Sequence, residues 1–290
     1  MSMNSAVERA IGSIWERYRE PLSLTDIAKS AILSRFHFSR VFREVTGLSP
    51  GRYLSAVRIY EAKRLLVSTS LSVTDISFEV GYNSLGSFTN RFTESVGISP
   101  ARFRRMSKYG AYEMPSPVRS SSRFCGAVAG SVRLPREYIG ARVYVATFKN
   151  PIVQGQPVSA AIVEVTSASR SASYRLTDVP AGAWFVQAVA VADTADPEPW
   201  TRRSLLVAGQ GCYVNVIPDV VVETDIYLRP RRRTDVPILL ALPELETEPI
   251  LLALRDPEVE PIPAGVGEGH TERGWQEAHG SPRGIDLLGG

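Results

Sequence analysis

Leu22-Ser-Leu-Thr-Asp-Ile-Ala28 is followed by Ser34-Arg-Phe-His-Phe-Ser-Arg-Val-Phe-Arg-Glu-Val-Thr-Gly-Leu-Ser-Pro50, and the chain then repeats itself. The second version reads Leu71-Ser-Val-Thr-Asp-Ile-Ser77 and Ser84-Leu-Gly-Ser-Phe-Thr-Asn-Arg-Phe-Thr-Glu-Ser-Val-Gly-Ile-Ser-Pro100. From Ser34 onward the offset is fifty residues, which pairs Phe38 with Phe88, Phe42 with Phe92, Glu44 with Glu94, Gly47 with Gly97 and Pro50 with Pro100. Two copies are too few for a solenoid, so the duplication points to a bipartite device.

Each copy has the grammar of a helix-turn-helix. Thr25-Asp26 and Thr74-Asp75 can open a short helix, because their oxygens accept from its free N–H groups. A turn follows, and Ser34 or Ser84 caps a second helix with Phe38, Val41, Phe42 and Val45, or Phe88, Phe92 and Val96, at helical spacing. Gly47 and Gly97 suit a left-handed C-terminal residue. Pro50 and Pro100 stand near N1 of the next helix. Residues 52–68 form a helical pattern between the copies, long enough at 1.5 Å per residue to span ~25 Å and hold two units apart. In the second helix of each copy the residues opposite the Phe stripe face outward: Arg35, Phe36, Ser39, Arg40 and Arg43, then Leu85, Gly86, Thr89, Asn90 and Arg91.

This stretch resembles the DNA-binding domain of AraC/XylS-type regulators. The matching residues are Ala28, Phe38, Arg40, Phe42, Gly47, Pro50, Arg58, Ala62, Leu65, Leu66, Ile76, Val80-Gly81-Tyr82, Phe88, Phe92, Gly97 and Pro100. The resemblance implies double-stranded DNA as partner, with two recognition helices in successive major grooves about one turn, ~34 Å, apart. It places base contacts at Phe36, Ser39 and Arg40, and at Leu85, Gly86, Thr89 and Asn90. Arg40 has the fork to meet guanine O6 and N7, and Asn90 the amide to meet adenine N6 and N7. Ser34, Arg35, Arg43, Ser84 and Arg91 are placed for phosphates, which position without specifying sequence. The alternative for each polar side chain is an ordinary solvated helix face.

Two positions depart from the family pattern. The first turn has Ile32 where a Gly is common, whereas the second keeps Gly81. Gly86 inside the second recognition helix costs ~1 kcal/mol of helix propensity and offers no side chain to a base.

At 290 residues the chain has room for two domains, and its 44% hydrophobic content is ordinary for a globular protein. It has no apolar run of membrane-spanning length and no signal-peptide pattern at its start, which reads as cytoplasmic with no membrane partner. Cys125 and Cys212 give no disulfide framework; two free thiols are the simpler reading, a redox pair the other. The net charge of +3 hides a segregation. Residues 1–110 hold 16 Lys/Arg against 9 Asp/Glu, residues 111–234 hold 14 against 10, and residues 235–290 hold 3 against 11. A basic front favours phosphate binding through counterion release.

Val7, Ile11, Ile14, Trp15 and Tyr18 form one face of an amphipathic helix ahead of the duplication. Residues 5–108 are thus expected to form the helical DNA-binding domain and residues 109–122 a Pro- and Ser-rich linker. Over residues 123–230 the pattern changes to short alternating strands, expected near 124–133, 140–148, 157–166, 171–178, 183–192, 203–208, 211–217 and 220–228. The expected fold class is multidomain, α then β: a double helix-turn-helix domain, an antiparallel β-sandwich and a partly disordered acidic tail. The run from Tyr174 to Ala188 is similar to a segment of transthyretin-like, carboxypeptidase-regulatory-like sandwiches. Trp184, Phe185, Tyr144, Phe148, Trp200 and Tyr213 can line a pocket, or serve as core and surface. The run Arg229-Pro-Arg-Arg-Arg233 reads as solvated charge or as a flanking DNA contact.

The tail, 231–290, carries a twelve-residue repeat: Pro237-Ile-Leu-Leu-Ala-Leu242 and Pro249-Ile-Leu-Leu-Ala-Leu254. Such apolar hexapeptides can dock on the protein's own strands or add to a sheet edge elsewhere. The only His residues are 37, 270 and 279, and no metal set, cofactor motif or nucleophile–base pair stands out, so neither a cofactor nor an enzyme activity is expected. The sequence therefore reads as a sequence-specific transcription regulator. Three roles stay open for the strand-rich part: dimerisation as a homodimer, sensing a small-molecule effector, or docking a protein such as RNA polymerase. The rival reading is an interaction or scaffold protein with weak or non-specific DNA binding.

Overall fold

The structure is a computed structural model and describes residues 3–109, 117, 123–194, 203–209 and 212–242. Seven helices come first: α1 (Met3–Arg17), α2 (Leu24–Ser30), α3 (Arg35–Thr46), α4 (Pro50–Ser68), α5 (Val73–Glu79), α6 (Leu85–Val96) and α7 (Pro100–Tyr109). α4 joins the two units and is buried almost all round, with Tyr53, Val57, Ile59, Tyr60 and Ala62 fully enclosed. A helix enclosed on nearly every side belongs in the middle of a domain. α1 lays Val7, Ile11 and Ile14 onto the first unit, and its Trp15 meets Tyr60 edge-on at 5.5 Å.

Nine strands follow: β1 (Cys125–Arg133), β2 (Tyr138–Phe148), β3 (Ser159–Thr166), β4 (Ser171–Pro180), β5 (Gly182–Thr194), β6 (Arg203–Ala208), β7 (Cys212–Val216), β8 (Val221–Glu223) and β9 (Ile226–Pro230). Their order is β3-β2-β5-β6-β9-β1-β4, with β7 beside β5 and β8 beside β1. β3 and β4 end this path, are consecutive in the chain and lie close together, so the sheet nearly closes into a barrel.

This corrects the antiparallel sandwich expected from the sequence. β1 pairs antiparallel with β4 but parallel with β8 and β9, so the sheet is mixed and barrel-like. Alternating residues report a pleated strand with distinct faces and say nothing of its neighbours' direction. The returning chain comes so near β1 that a Cβ at Gly130 would stand 1.9 Å from the Thr224 carbonyl oxygen, and one at Gly126 would stand 2.3 Å from that of Ile217. Glycine inside a strand marks such a close backbone approach.

The barrel encloses Val128, Val143, Val145, Leu176, Trp184, Val186 and Leu206. The alternate residues of β2, namely Tyr144, Ala146 and Phe148, point the other way and join the helical core. From Val143 onward both faces of β2 are therefore buried, one in the barrel and one in a seam against the helices.

The first copy of the tail repeat takes the docked course expected for it, on the protein's own fold. Ile238, Leu239, Leu240, Ala241 and Leu242 are buried in the seam; the second copy, 249–254, and the Gly-rich end lie outside the described residues. The Arg run is solvated only in part, since Arg232 and Arg233 are exposed. Arg229 makes two 2.7 Å bonds to the Asp235 carboxylate, and Arg231 is buried with Nη2 3.5 Å from the Asp235 carbonyl. The aromatic residues do not gather in one pocket. Trp184 is core, donating its indole N–H to Pro180, Tyr144 and Phe148 belong to the seam, and Phe185 stacks edge-on with exposed Tyr213. Trp200 and most of the expected linker lie outside the described residues, as does the side chain of Cys212; Cys125 is half-buried.

Candidate nucleic-acid interface

Both units start on the same device. Ser23 caps α2 by accepting from the Asp26 amide while Asp26 accepts from Ser23, and Ser72 and Asp75 do the same for α5. The caps are thus these serines, two residues ahead of the expected Thr25 and Thr74, and the aspartates are the N3 partners of a capping box. The Ser23 hydroxyl and amide hold the Asp26 carboxyl below the usual carboxylate range.

The turns then diverge. Gly81 takes a left-handed φ of 85°, and Ile32, its counterpart, is forced to 58°. A Cβ at Gly81 would stand 2.8 Å from the Arg19 carbonyl oxygen and 3.0 Å from that of Tyr18. Ile32 instead points into solvent, so the first turn has room for a side chain but not the favoured backbone for it.

The second helices of the two units, α3 and α6, bury matching aromatic pairs. Phe38 and Phe42 lie 5.3 Å apart and Phe88 and Phe92 5.7 Å. Tyr53 closes the first pair edge-on and Phe103 the second. Each helix ends on a left-handed glycine, Gly47 at φ 76° and Gly97 at φ 90°.

With those stripes buried, the opposite faces are fixed. Ser34, Arg35, Phe36, Arg40 and Arg43 are exposed on the first unit and Ser39 is half-buried. Ser84, Leu85, Gly86 and Asn90 are exposed on the second and Thr89 is half-buried. Arg35 lies over the Phe36 ring at 4.7 Å. Arg40 touches His37 Nδ1 at 3.4 Å and Glu44 at 4.0 Å. Its side chain is 70% exposed, and so open an ion pair is worth little, which leaves the guanidinium available to a ligand. Ser84 accepts from the Ser87 amide and so caps α6, whereas Ser34 makes no such side-chain bond.

Arg91 stands apart from the other expected phosphate contacts. It occupies the position of buried Val41, donates to Ser55 Oγ at 3.0 Å and pairs with Glu94 at 3.1 Å. Its side chain is 27% exposed, tied to α4 and to its own helix.

One residue with a positioning role is Arg58 on α4. It donates to the Tyr18 carbonyl at 2.8 Å and the Glu20 carbonyl at 2.7 Å, and lies over the Tyr82 ring at 5.9 Å. It thereby ties down carbonyls just past the end of α1 and braces the turn of the second unit. The sequence offered Arg58 as part of a family match, with no signal for those carbonyls. Lys63, counted in the basic front, is buried and bonds Leu240, so it adds nothing to the surface charge.

The family model described as a helix-turn-helix domain matches residues 27–106, the span that holds both units. Residues 27–106 are thus similar to a known helix-turn-helix domain. The lactose operon transcription activator of Staphylococcus xylosus is 34% identical over 102 residues, which is 35% of this chain and 37% of that protein. The HTH-type transcriptional activator AarP of Providencia stuartii is 41% identical over 83 residues, 29% of this chain and 62% of that protein. A crystal structure of an AraC-type regulator from Chromobacterium violaceum is 28% identical, covering 36% of this chain and 93% of that one, with a TM-score of 0.35. The chain thus spans less than two thirds of the length of these two curated relatives. Among the described residues no cluster of His, Cys, Asp and Glu could hold a metal ion, and no helix is long and apolar enough to cross a membrane.

Proposed function

We propose that this protein is a sequence-specific DNA-binding transcription regulator whose AraC-type domain sets α3 and α6 into successive major grooves. The observation that carries the reading is the duplication of a presented surface. Two helices bury the same aromatic pair and expose matching positions, Ser34/Ser84, Arg35/Leu85, Phe36/Gly86 and Arg40/Asn90, with Ser39/Thr89 half-buried. In this reading Phe36, Ser39 and Arg40 meet bases in one groove, and Leu85, Gly86, Thr89 and Asn90 meet bases in the next. Ser34, Arg35, Arg43 and Ser84 take phosphates. Arg91 reaches a phosphate only by exchanging Glu94 for it, at the rim of the helix. The barrel packs against the far ends of α3 and α6, at Gly47, Ser95 and Gly97, and leaves the exposed faces open.

The test is fluorescence anisotropy of the full chain against an enriched duplex and a random one, across salt concentrations. A preference for the enriched duplex, with affinity falling linearly in log–log form, supports the reading. Equal affinity for both supports the rival, a scaffold with non-specific DNA binding, for which Gly86 is the structural argument. The barrel acts as the regulatory or partner-facing part, through dimerisation, effector sensing or polymerase contact.

A further inference from the structure

The hexapeptide Pro237-Ile-Leu-Leu-Ala-Leu242 returns unchanged twelve residues later as Pro249-Ile-Leu-Leu-Ala-Leu254. The first copy sits in a groove between the helices and the barrel, with residues 238–242 no more than 4% exposed. The amides of Leu239 and Leu240 both donate to the Val153 carbonyl, at 3.0 and 3.1 Å, and the amide of Ala241 donates to Val96 at 3.3 Å. The Leu240 carbonyl accepts from Lys63 Nζ at 3.2 Å. That ammonium is itself 1% exposed and lies over the Phe103 ring at 5.6 Å. Leu240 Cδ1 comes within 3.7 Å of where a Cβ on Gly97 would stand. Backbone bonds set the direction of the peptide, a buried cation reads one carbonyl, and apolar walls take the side chains.

We propose that residues 249–254 are a second, exchangeable occupant of this groove, acting within the same molecule. Each contact above is made by the backbone or by a residue type that the second copy keeps at the same position, so the walls do not distinguish the two. A short tether raises the local concentration of the second copy into the millimolar range, which favours exchange within one chain over capture of another. Seating the second copy lengthens the loop after Pro230 from six residues to eighteen, which favours the first copy about fivefold through loop closure. The first copy is the major occupant and the second a reserve. Exchange feeds twelve residues, with Glu244, Glu246 and Glu248 among them, to one side of the groove or the other while the seam stays closed. The proposal does not depend on DNA reading.

Hydrogen exchange on the full chain, read over residues 92–98 and 148–158, tests it with Leu240→Asp, Leu252→Asp and the double variant. Leu252→Asp should match the unaltered chain. Leu240→Asp should speed opening of the seam about sixfold, and the double variant at least tenfold more. Added synthetic Pro-Ile-Leu-Leu-Ala-Leu peptide should restore protection to the double variant. If that variant does not fold, the Leu240→Ser and Leu252→Ser pair is read the same way. Equal loss in Leu240→Asp and the double variant would overturn the proposal, as would full protection in the double variant. Protection of Leu240→Asp that grows with protein concentration would move the occupant to a second molecule and overturn the exchange within one chain.

Discussion

Where the first recognition helix presents Phe36, 75% exposed, the second has Gly86, and a Cβ there would meet nothing within 4 Å. Where the first carries Arg40 the second carries Asn90, and where the first buries Val41 the second holds Arg91 against Ser55 and Glu94. The buried halves of the units are nearly superimposable in chemistry, down to the edge-on aromatic that closes each Phe pair. What separates them is what faces outward and how each turn is made. A duplicated fold thus keeps its packing and varies its presented surface, and the first unit presents the larger and more charged set of side chains.

The turn contrast gives the largest expected effect. Gly81→Ala puts a Cβ against two carbonyls at a left-handed φ and should cost roughly 2–4 kcal/mol, combining backbone strain and overpacking. A thermal melt unchanged from the parent would show that the second turn relaxes freely. Next comes Tyr53, the counterpart of Phe103. Its hydroxyl lies 3.3 Å from the Asp235 carbonyl and 3.5 Å from that of Arg233, and burial pushes its pKa up to about 12. A raised folded value means the stabilisation is complete below the unfolded pKa near 10 and is lost as pH rises through about 12. Denaturant midpoints should therefore fall above pH 10, by on the order of 3 kcal/mol in all, and Tyr53→Phe should remove much of that fall. An identical alkaline profile in that variant would place the effect elsewhere.

On the reading surface, Arg40→Ala should cost ~1–3 kcal/mol at one base pair and relax specificity there. A loss spread evenly over all sequences would make Arg40 a phosphate contact. Gly86→Ala should stabilise α6 by up to ~1 kcal/mol, because the fold leaves that space empty. If DNA binding weakens at the same time, the glycine serves a close approach of backbone to DNA; if binding holds, it does not. The smallest effect is at Ile32→Gly, where relief of left-handed strain, ~1–2 kcal/mol, exceeds the added chain entropy of glycine, ~0.5–1 kcal/mol. A small rise in melting temperature is expected, and a fall would mean that Ile32 makes a contact its exposure does not suggest.

Much of this was legible in the sequence, for definite reasons. The Phe spacing, the two left-handed glycines and the Ser-Pro starts are local signals, and they give the helices of both units. Strand positions were equally local, except that the stretch expected at 220–228 divides into β8 and β9. The barrel was not legible, because strand direction and closure depend on distant partners; only Gly126 and Gly130 hinted at a neighbour coming close. The seam was hidden too. Tyr144, Ala146 and Phe148 are apolar at the positions an exposed strand face would make polar, which was the available sign that β2 is buried on both sides. Arg58 and Lys63 read as surface charge because the carbonyls they serve lie far away in the chain.

The contrast between the two units is tested most directly by selection from a randomised DNA pool with the full-length protein. The expected result is an enriched motif of two half-sites about one turn, ~34 Å, apart, with the half bound by α3 more sharply defined than the half bound by α6. A single enriched half-site would contradict the two-unit reader, and no enrichment at all would contradict sequence-specific binding itself.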